Sequence, residues 1–444
     1  MIALTVAKSP SQIIIIGAGT AGLAAATTLA QAGYDVSLYE KNAYAGGRTF
    51  SFTDVASRST LDNGQHLLMG CYHATRAWLD SLNASLDIPK KSFPLNFYSA
   101  DGRIACLSLP DWPAPWYALY GIMRYDAIPL SERWRILRAG LSMRKSLIRG
   151  RYVSDWLDAW RFTQDTRRWF WNPICLAIMN QHPDDADLVQ FGEAMRRIFF
   201  GSRDDGRFII SEKSLDAVLV EPAVRFLKQK SCSLHFHSFV RHITVSNGRV
   251  EGITLRNGET IRTDIVIMAV PPWSAGKLLP VENEWTSRLQ NFSSAPILSA
   301  YIWLNEMHPD ALFDGPMAAC IGTHVQWVFK KNSECIQITI SHPGASVFDA
   351  ASIWEKRITD DMTLLFKNFK PSSVRRIEMI KSVRATSNNH AKDSYRFHSR
   401  TGIQGLYLAG DWIADELPST IESAVLSGIR CAEAVLQDEK NKRS

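Results

Sequence analysis

The stretch Leu61-Asp62-Asn63-Gly64-Gln65-His66 gathers an acid, two amides and an imidazole around one glycine, directly ahead of an apolar run. Such groups can hold a polar ligand by hydrogen bonds, and one of them can move a proton. His66 is the first candidate for a general acid, with Asp62 or Gln65 to orient it; Cys175 and Glu422 are the other candidates. Asn63, Gly64, Gln65 and His66 are also expected to face a bound cofactor. A turn that merely leads into a capped helix is the competing structural reading.

The elements that would bring a cofactor to that turn begin near the amino terminus. Ile13-Ile14-Ile15-Ile16 is wholly apolar and β-branched, the pattern of a central strand in a parallel sheet. Gly17-Ala18-Gly19-Thr20-Ala21-Gly22 follows, then an alanine-rich helical stretch closed by Gly33, then a second strand over 35–39 that stops at Glu40. This is a dinucleotide fingerprint in its required strand–turn–helix–strand context. Gly17 permits the tight turn, Gly19 lets backbone amides approach a pyrophosphate, and Gly22 lets the helix pack close to the strand. Thr20 and Ala21 open the helix, whose N-terminus carries partial positive charge. Glu40, eighteen residues past Gly22, sits where a carboxylate holds ribose hydroxyls, with Lys41 beside it.

Three further segments resemble the flavin amine oxidase and phytoene desaturase superfamily. Ala45-Gly46-Gly47-Arg48-Thr49 is similar to its second signature, which lies under FAD. Gly405 to Asp411 reads as a strand ending in Gly410-Asp411, and the resemblance implies that Asp411 binds the ribityl–phosphate region. The helix after it carries Thr420 and Ile421 at its start, and its dipole would face the flavin ring. Ser419 or Thr420 could cap that helix, with Glu422 in its first turn. In the middle of the chain, Ser233 to Val240 alternates as a strand, Gly248 and Asn257-Gly258 mark hairpins, and 264–272 is a buried strand ended by two prolines. The resemblance implies that Val240 lies against adenine. His235 and His237 share a strand face, but no third ligand is visible and no metal is expected.

The expected architecture is α/β: a discontinuous, Rossmann-like FAD-binding domain over 1–75, 205–275 and 385–444. An α+β substrate domain is interleaved over 76–204 and 276–384, in the manner of flavin amine oxidases. Trp112, Trp116, Trp156, Trp160, Trp169, Phe170 and Trp171 crowd the first insertion, and could line a cavity for a large apolar ligand or simply form core.

At a finer level the chain resembles the hydroxysqualene dehydroxylases, the squalene-associated FAD-dependent desaturases of bacterial hopanoid pathways. The resemblance rests on Asp62-Asn63-Gly64-Gln65-His66, Asp111-Trp112-Pro113-Ala114-Pro115-Trp116, Trp171-Asn172-Pro173-Ile174-Cys175-Leu176-Ala177 with Asn180, and Ala409-Gly410-Asp411-Trp412 with 417–422. It implies FAD as cofactor, hydroxysqualene as a hydrophobic isoprenoid substrate, and reduction of that substrate to squalene. Hydroxide is a poor leaving group, so that reaction needs a proton donor and a site closed to water. A carotenoid-type desaturase and a flavin amine oxidase are the rival readings; for the latter, no lysine stands out and Trp412 has no clear aromatic partner. No second dinucleotide fingerprint is apparent, which leaves the electron donor unidentified.

Composition fits this frame. The chain has 444 residues, 46% hydrophobic and 21% charged, and a net charge of +6, which is ordinary for a large globular enzyme. No apolar run is long enough to span a bilayer, and Met1 to Pro10 does not read as a secretory signal. Seven cysteines without a CxxC pair suggest neither disulfides nor zinc, so a cytoplasmic setting is expected. Between Ile122 and Arg151 lie eight basic residues (Arg124, Arg133, Arg135, Arg138, Arg144, Lys145, Arg149 and Arg151) against Asp126 and Glu132, just after Trp112, Trp116 and Tyr120. This is either a peripheral contact with the inner face of the cytoplasmic membrane or a solvated basic helix. No motif supports nucleic-acid binding.

Overall fold

The isoleucines Ile13–Ile16 form the middle strand of a five-stranded parallel sheet. The order is Leu406–Leu408, Ile265–Met268, Ile13–Ile16, Val36–Tyr39 and Ser233–His235. The computed structural model describes residues 12–89, 92–144, 151–279, 284–305, 307–388, 397–413 and 416–443. Met1 to Pro10, Lys145 and Arg149 lie outside the described residues. All of Ile13–Ile16 and Ile265–Met268 is buried, because both faces of the sheet are covered. On one face Ile13, Ile15, Ile265 and Ile267 pack with the helices Thr20–Gln31, Glu221–Gln229 and Ile421–Arg443. On the other, Ile14, Ile16, Val266 and Met268 pack with Val240, Ile243 and Ile253 of an antiparallel meander, Val240–Ser246, Arg249–Leu255 and Thr260–Arg262. The continuous apolar character of these strands follows from this double coverage.

A second sheet of seven strands is ordered Val374–Ser387, Ser294–Leu304, Cys335–Ser341, Trp327–Lys330, Met317–Ile321, Leu95–Ser99 and Ile104–Leu107. Its pairings are antiparallel except between Met317–Ile321 and Leu95–Ser99. One face packs on the helix Ala351–Leu365 through Leu298, Ile338 and Trp354. The helices of 116–200 pack on Phe97, Met317 and Phe329.

Two sequence expectations change. Ser233 to Val240 is not one strand: pairing runs over Ser233–His235 and resumes at Val240, because His237 takes a left-handed φ of 52°. The backbone N–H of His237 bonds to Asn42 O (3.0 Å) and that of Ser238 to Glu40 O (2.8 Å), which turns the chain around the end of the second strand. His235 and His237 therefore share no strand face, and no cluster of three potential metal ligands exists among the described residues. The tryptophan-rich stretch divides as well. Trp156, Trp169, Phe170 and Trp171 are buried against one another and Phe191, whereas Trp112 and Trp116 are exposed. Among the described residues no helix is long and apolar enough to cross a membrane.

Candidate cofactor and active site

The glycine turn is closed by steric necessity. Gly17 has φ of 105°, and a Cβ there would stand 2.5 Å from Ala269 O; a Cβ on Gly22 would stand 2.0 Å from Gly17 O. Both positions exclude a side chain, so the first helix begins tight against the strand. Gly19 differs: no atom lies within 4 Å of where its Cβ would be. The helix Thr20–Gln31 has neither a side-chain cap nor an acidic residue in its first turn. Its leading N–H groups therefore face open space at Gly19, Thr20 and Ala21, which all line a large cavity. Glu40 folds back under the turn, its carboxylate accepting Ala18 N–H and Asn42 N–H, both at 2.9 Å. Gly46 and Gly47, with φ of 109° and 59°, lay the 45–48 turn on top, and Gly46 N–H reaches Ala18 O at 2.7 Å.

Distant segments complete the cradle. Arg48 Nη2 pairs with Asp411 Oδ1 at 2.5 Å, and its Nη1 donates to Ala385 O at 3.0 Å. Asp411 is buried, and its second oxygen accepts the Ser419 hydroxyl. Thr420, not Ser419, caps the last helix: Thr420 Oγ1 accepts Ser423 N–H (3.2 Å), and Ser423 Oγ accepts Thr420 N–H (2.9 Å). This is the reciprocal arrangement of a capping box. Val240, Lys41, Gly410, Thr420 and Ile421 all line the cavity; Gly22 does not, and acts through packing alone.

The 61–66 turn is held from behind. The Tyr301 hydroxyl donates to Asp62 O (3.1 Å) and accepts Asp62 N–H (3.2 Å). The Asp62 carboxylate accepts Ser51 Oγ–H (2.7 Å) and Leu215 N–H (2.9 Å) and does not line the cavity. Gly64, at φ of 144°, passes so close to Ser299 that a Cβ would stand 2.9 Å from its hydroxyl. Lys331, unremarkable in the sequence, donates to Gln65 Oε1 (3.2 Å) and lies 3.8 Å from Asp62 Oδ2. Gln65 in turn reaches the His66 carbonyl rather than its ring, at 3.4 Å. Thus Asn63, Gly64, Gln65 and His66 are delivered to the cavity while Asp62 anchors them. Burial holds the His66 pKa down to about 4, against the pull of the Asp62 carboxylate and with the push of the Arg48 charge. At neutral pH the ring is uncharged.

The other two acid candidates sit differently. Both oxygens of Glu422 are engaged: they accept Ala74 N–H and Thr75 N–H (2.9 Å each) and Thr75 Oγ–H (2.8 Å), with Arg197 at 3.6 Å. Glu422 lines the cavity, but it serves as the N-terminal cap of the helix His73–Ser81, which has no cap of its own. Cys175 lies outside the cavity, with its thiol against Gln181 O at 3.5 Å and its pKa pushed up by burial. The helix Asn172–Met179 turns Ile174, Ala177 and Ile178 to the cavity instead, and helical phase leaves Cys175 on the opposite side. Cys71 and Tyr72, which the sequence reading passed over, do line it. Burial pushes the Cys71 thiol up to about 12, and raises the Tyr72 phenol as well.

The cavity, about 920 Å³ in volume, runs without interruption from this cradle into an apolar chamber. The chamber walls include Phe93, Leu95, Phe97, Leu107, Phe199, Phe208, Trp327 and Phe329. None of the tryptophans singled out by composition lines it; the nearest signal was strand alternation, since 95 and 97, 327 and 329, and 339 and 341 each place alternate residues on one face. The open space at Gly19, the unsatisfied helix N–H groups and the carboxylate of Glu40 at one end fit the pyrophosphate and ribose of FAD. Trp412, at the other side of the cradle, is buried beside Phe397 and Phe292 and donates to Val270 O at 3.1 Å.

Comparison with known proteins agrees with this geometry. The family model for flavin containing amine oxidoreductases matches residues 20–436. Hydroxysqualene dehydroxylase of Zymomonas mobilis is 27% identical over 95% of this chain and 98% of that protein. The enzyme of the same name from Rhodopseudomonas palustris is 27% identical over 95% and 97%. The 15-cis-phytoene desaturase of Arabidopsis thaliana is 22% identical over 97% of this chain and 80% of its own. Among solved structures, putrescine oxidase superposes with a TM-score of 0.76 at 17% identity, over 96% of this chain and 99% of that one.

Proposed function

The chain belongs to the flavin-containing amine oxidoreductase family and is an FAD-dependent oxidoreductase, and we propose that it reductively dehydroxylates hydroxysqualene to squalene. The observation that carries this reading is the single cavity in which the dinucleotide cradle opens into an oily chamber. The relatives named hydroxysqualene dehydroxylase, aligned end to end, support the choice of substrate over that of the phytoene desaturases.

The reaction takes two electrons and two protons: the C–O bond breaks, a C–H bond forms and water leaves. When bound in its reduced form, FAD would supply the electron pair and one of the two protons, which an electron donor still to be identified must renew; the other proton goes to the departing hydroxyl. The chain's own residues bind and orient the reactants and exclude water. Gly17, Gly19, Thr20 and Ala21 would receive the pyrophosphate, Glu40 and Lys41 the ribose, Val240 the adenine, and Gly46, Gly47, Arg48, Gly410 and Asp411 the ribityl–phosphate segment, with Thr420 and Ile421 at the ring. The chamber walls exclude water, so a carbon losing hydroxide is not recaptured by solvent. His66, with Asn63 and Gln65 beside it, positions the departing hydroxyl. As a neutral ring it offers one N–H; it becomes a proton donor only after taking up a proton, which burial and Arg48 oppose. Cys71 and Tyr72 keep their protons at neutral pH. The domain limits 1–75, 205–275 and 385–444 against 76–204 and 276–384 are part of the same proposal. Seven free cysteines fit a reducing, cytoplasmic setting.

Anaerobic incubation of reduced and of oxidised holoprotein with hydroxysqualene, followed by product analysis, tests the reading. Squalene from the reduced form alone is expected. Unchanged substrate, or a more unsaturated product from the oxidised form, would overturn it in favour of a desaturase.

A further inference from the structure

The helices Trp116–Arg124 and Leu130–Arg144 pack on one another and turn apolar side chains outward. On the first, Trp116 (57% exposed), Tyr120 and Arg124 recur at i, i+4 and i+8, and Trp112 stands edge-on to Tyr120 with ring centres 5.0 Å apart. On the second, Leu130, Trp134 (53% exposed), Arg138 and Leu141 follow the same outward stripe. The inward sides are ordinary core: Tyr117, Gly121 and Ile122, and Ile136, Ala139 and Met143. Among residues 112–143, the exposed charges are Arg124 and Arg138 against Asp126 alone. Arg133 and Arg135 are half-buried and bonded within the hairpin and to Arg161 O.

The first helix packs directly behind the wall of the chamber. A Cβ on Gly121 would stand 2.5 Å from Leu109 and 3.5 Å from Leu107, and both leucines line the cavity. The Tyr117 hydroxyl donates to Ile198 O, and a Cβ on Gly206 would stand 2.8 Å from that hydroxyl; Ile198 and Gly206 line the cavity too. The helix and the wall residues it packs on thus separate the apolar chamber from the exposed aromatic stripe.

We propose that this hairpin is the face by which the protein lies on an anionic lipid bilayer, bringing the chamber close to the membrane so that a lipophilic substrate has a short path through water. Exposed tryptophan and tyrosine rings suit the headgroup boundary, and Arg124 and Arg138 suit its negative charge. No described helix is long and apolar enough to cross a membrane; the proposed contact is a peripheral one. This inference rests on the isoprenoid reading of the chamber for its purpose, but not for its chemistry.

Flotation of the full-length holoprotein with phosphatidylglycerol–phosphatidylcholine vesicles tests it. Binding to these vesicles, and much weaker binding to pure phosphatidylcholine, is expected. The double variant Trp116→Ser/Trp134→Ser should bind at least about tenfold more weakly, and Arg124→Glu/Arg138→Glu should lose the preference for anionic lipid. Both should keep the bound-flavin spectrum, since these side chains stand outside the core. Wild-type protein that stays in the lower fractions, or a tryptophan variant that floats as wild type does, overturns the proposal. So does a lipid-free dimer that the tryptophan variant dissociates, because the face would then belong to a second copy. Turnover separates the two readings. Variants that convert hydroxysqualene from detergent micelles but not from vesicles support docking. Turnover from vesicles by protein that never floats leaves the substrate reading standing and removes docking. Flotation without any turnover supports docking and removes the substrate reading.

Discussion

Arg48 and Asp411, 363 residues apart in the chain, meet in an ion pair of 2.5 Å at the rim of the dinucleotide cradle. Asp411 is buried and also accepts the Ser419 hydroxyl, while Arg48 remains partly open to the cavity. The pair therefore joins two distant segments of the chain at the rim of one cavity.

Removing only the arginine leaves a buried carboxylate without its partner. Arg48→Met should lower stability by about 2 kcal/mol or more and leave the purified protein deficient in FAD. The double variant Arg48→Met/Asp411→Asn should recover part of that stability but not the flavin. Thermal unfolding and the flavin-to-protein absorbance ratio check both; additive losses in stability would contradict the coupling.

Gly19 separates cofactor binding from folding. Since nothing stands within 4 Å of its missing Cβ, Gly19→Ala should change apoprotein stability by no more than about 0.5 kcal/mol. The methyl group would occupy the space meant for pyrophosphate, so FAD affinity should fall at least about tenfold. Gly22→Ala should instead prevent folding, because its Cβ would stand 2.0 Å from Gly17 O. Equal behaviour of the two variants would contradict the assignment.

His66 gives a pH signature. Its pKa falls from 6.5 to about 4 in the folded protein, so between those values the unfolded chain binds more protons than the folded one. Stability should therefore decline as pH falls from about 6.5 to 4, by at most about 3–4 kcal/mol. His66→Gln should flatten that part of the curve in apoprotein denaturation. For turnover, a ring that positions rather than protonates gives a kcat/KM nearly level from about pH 6 to 8. A tenfold fall per pH unit across that range would instead mark the imidazolium as the acid. His66→Ala should retain FAD and lose turnover.

Glu422 separates support from chemistry. Its two oxygens satisfy the start of helix His73–Ser81, so Glu422→Gln, which turns an amide toward those N–H groups, should cost about 1–3 kcal/mol. Turnover per bound flavin should change far less than stability. Loss of turnover at unchanged melting temperature would contradict the capping role.

Much of the cradle was legible because its chemistry is local. The turn at Gly17–Gly22, the 45–48 turn and Gly410–Asp411 are contiguous segments whose backbone geometry dictates residue type. What escaped depends on tertiary partners. Nothing near Asp62 in sequence signals that Tyr301 holds its backbone or that Lys331 holds Gln65. Cys175 and Ile174 are neighbours in the chain, and only the phase of their helix decides which meets the cavity. The alternation of 233–240 resembles a strand until His237 is found in the left-handed region. Trp156, Trp169 and Trp171 are core and Phe97, Trp327 and Phe329 line the chamber, a distinction that residue type cannot make.

The most direct test of a shared cavity is a titration of oxidised holoprotein with squalene, delivered in detergent and followed through the visible absorbance of the flavin. A saturable spectral change is expected, because the chamber and the cradle are one continuous space. Squalene that binds without disturbing the flavin spectrum would place it elsewhere and contradict the assignment of this cavity.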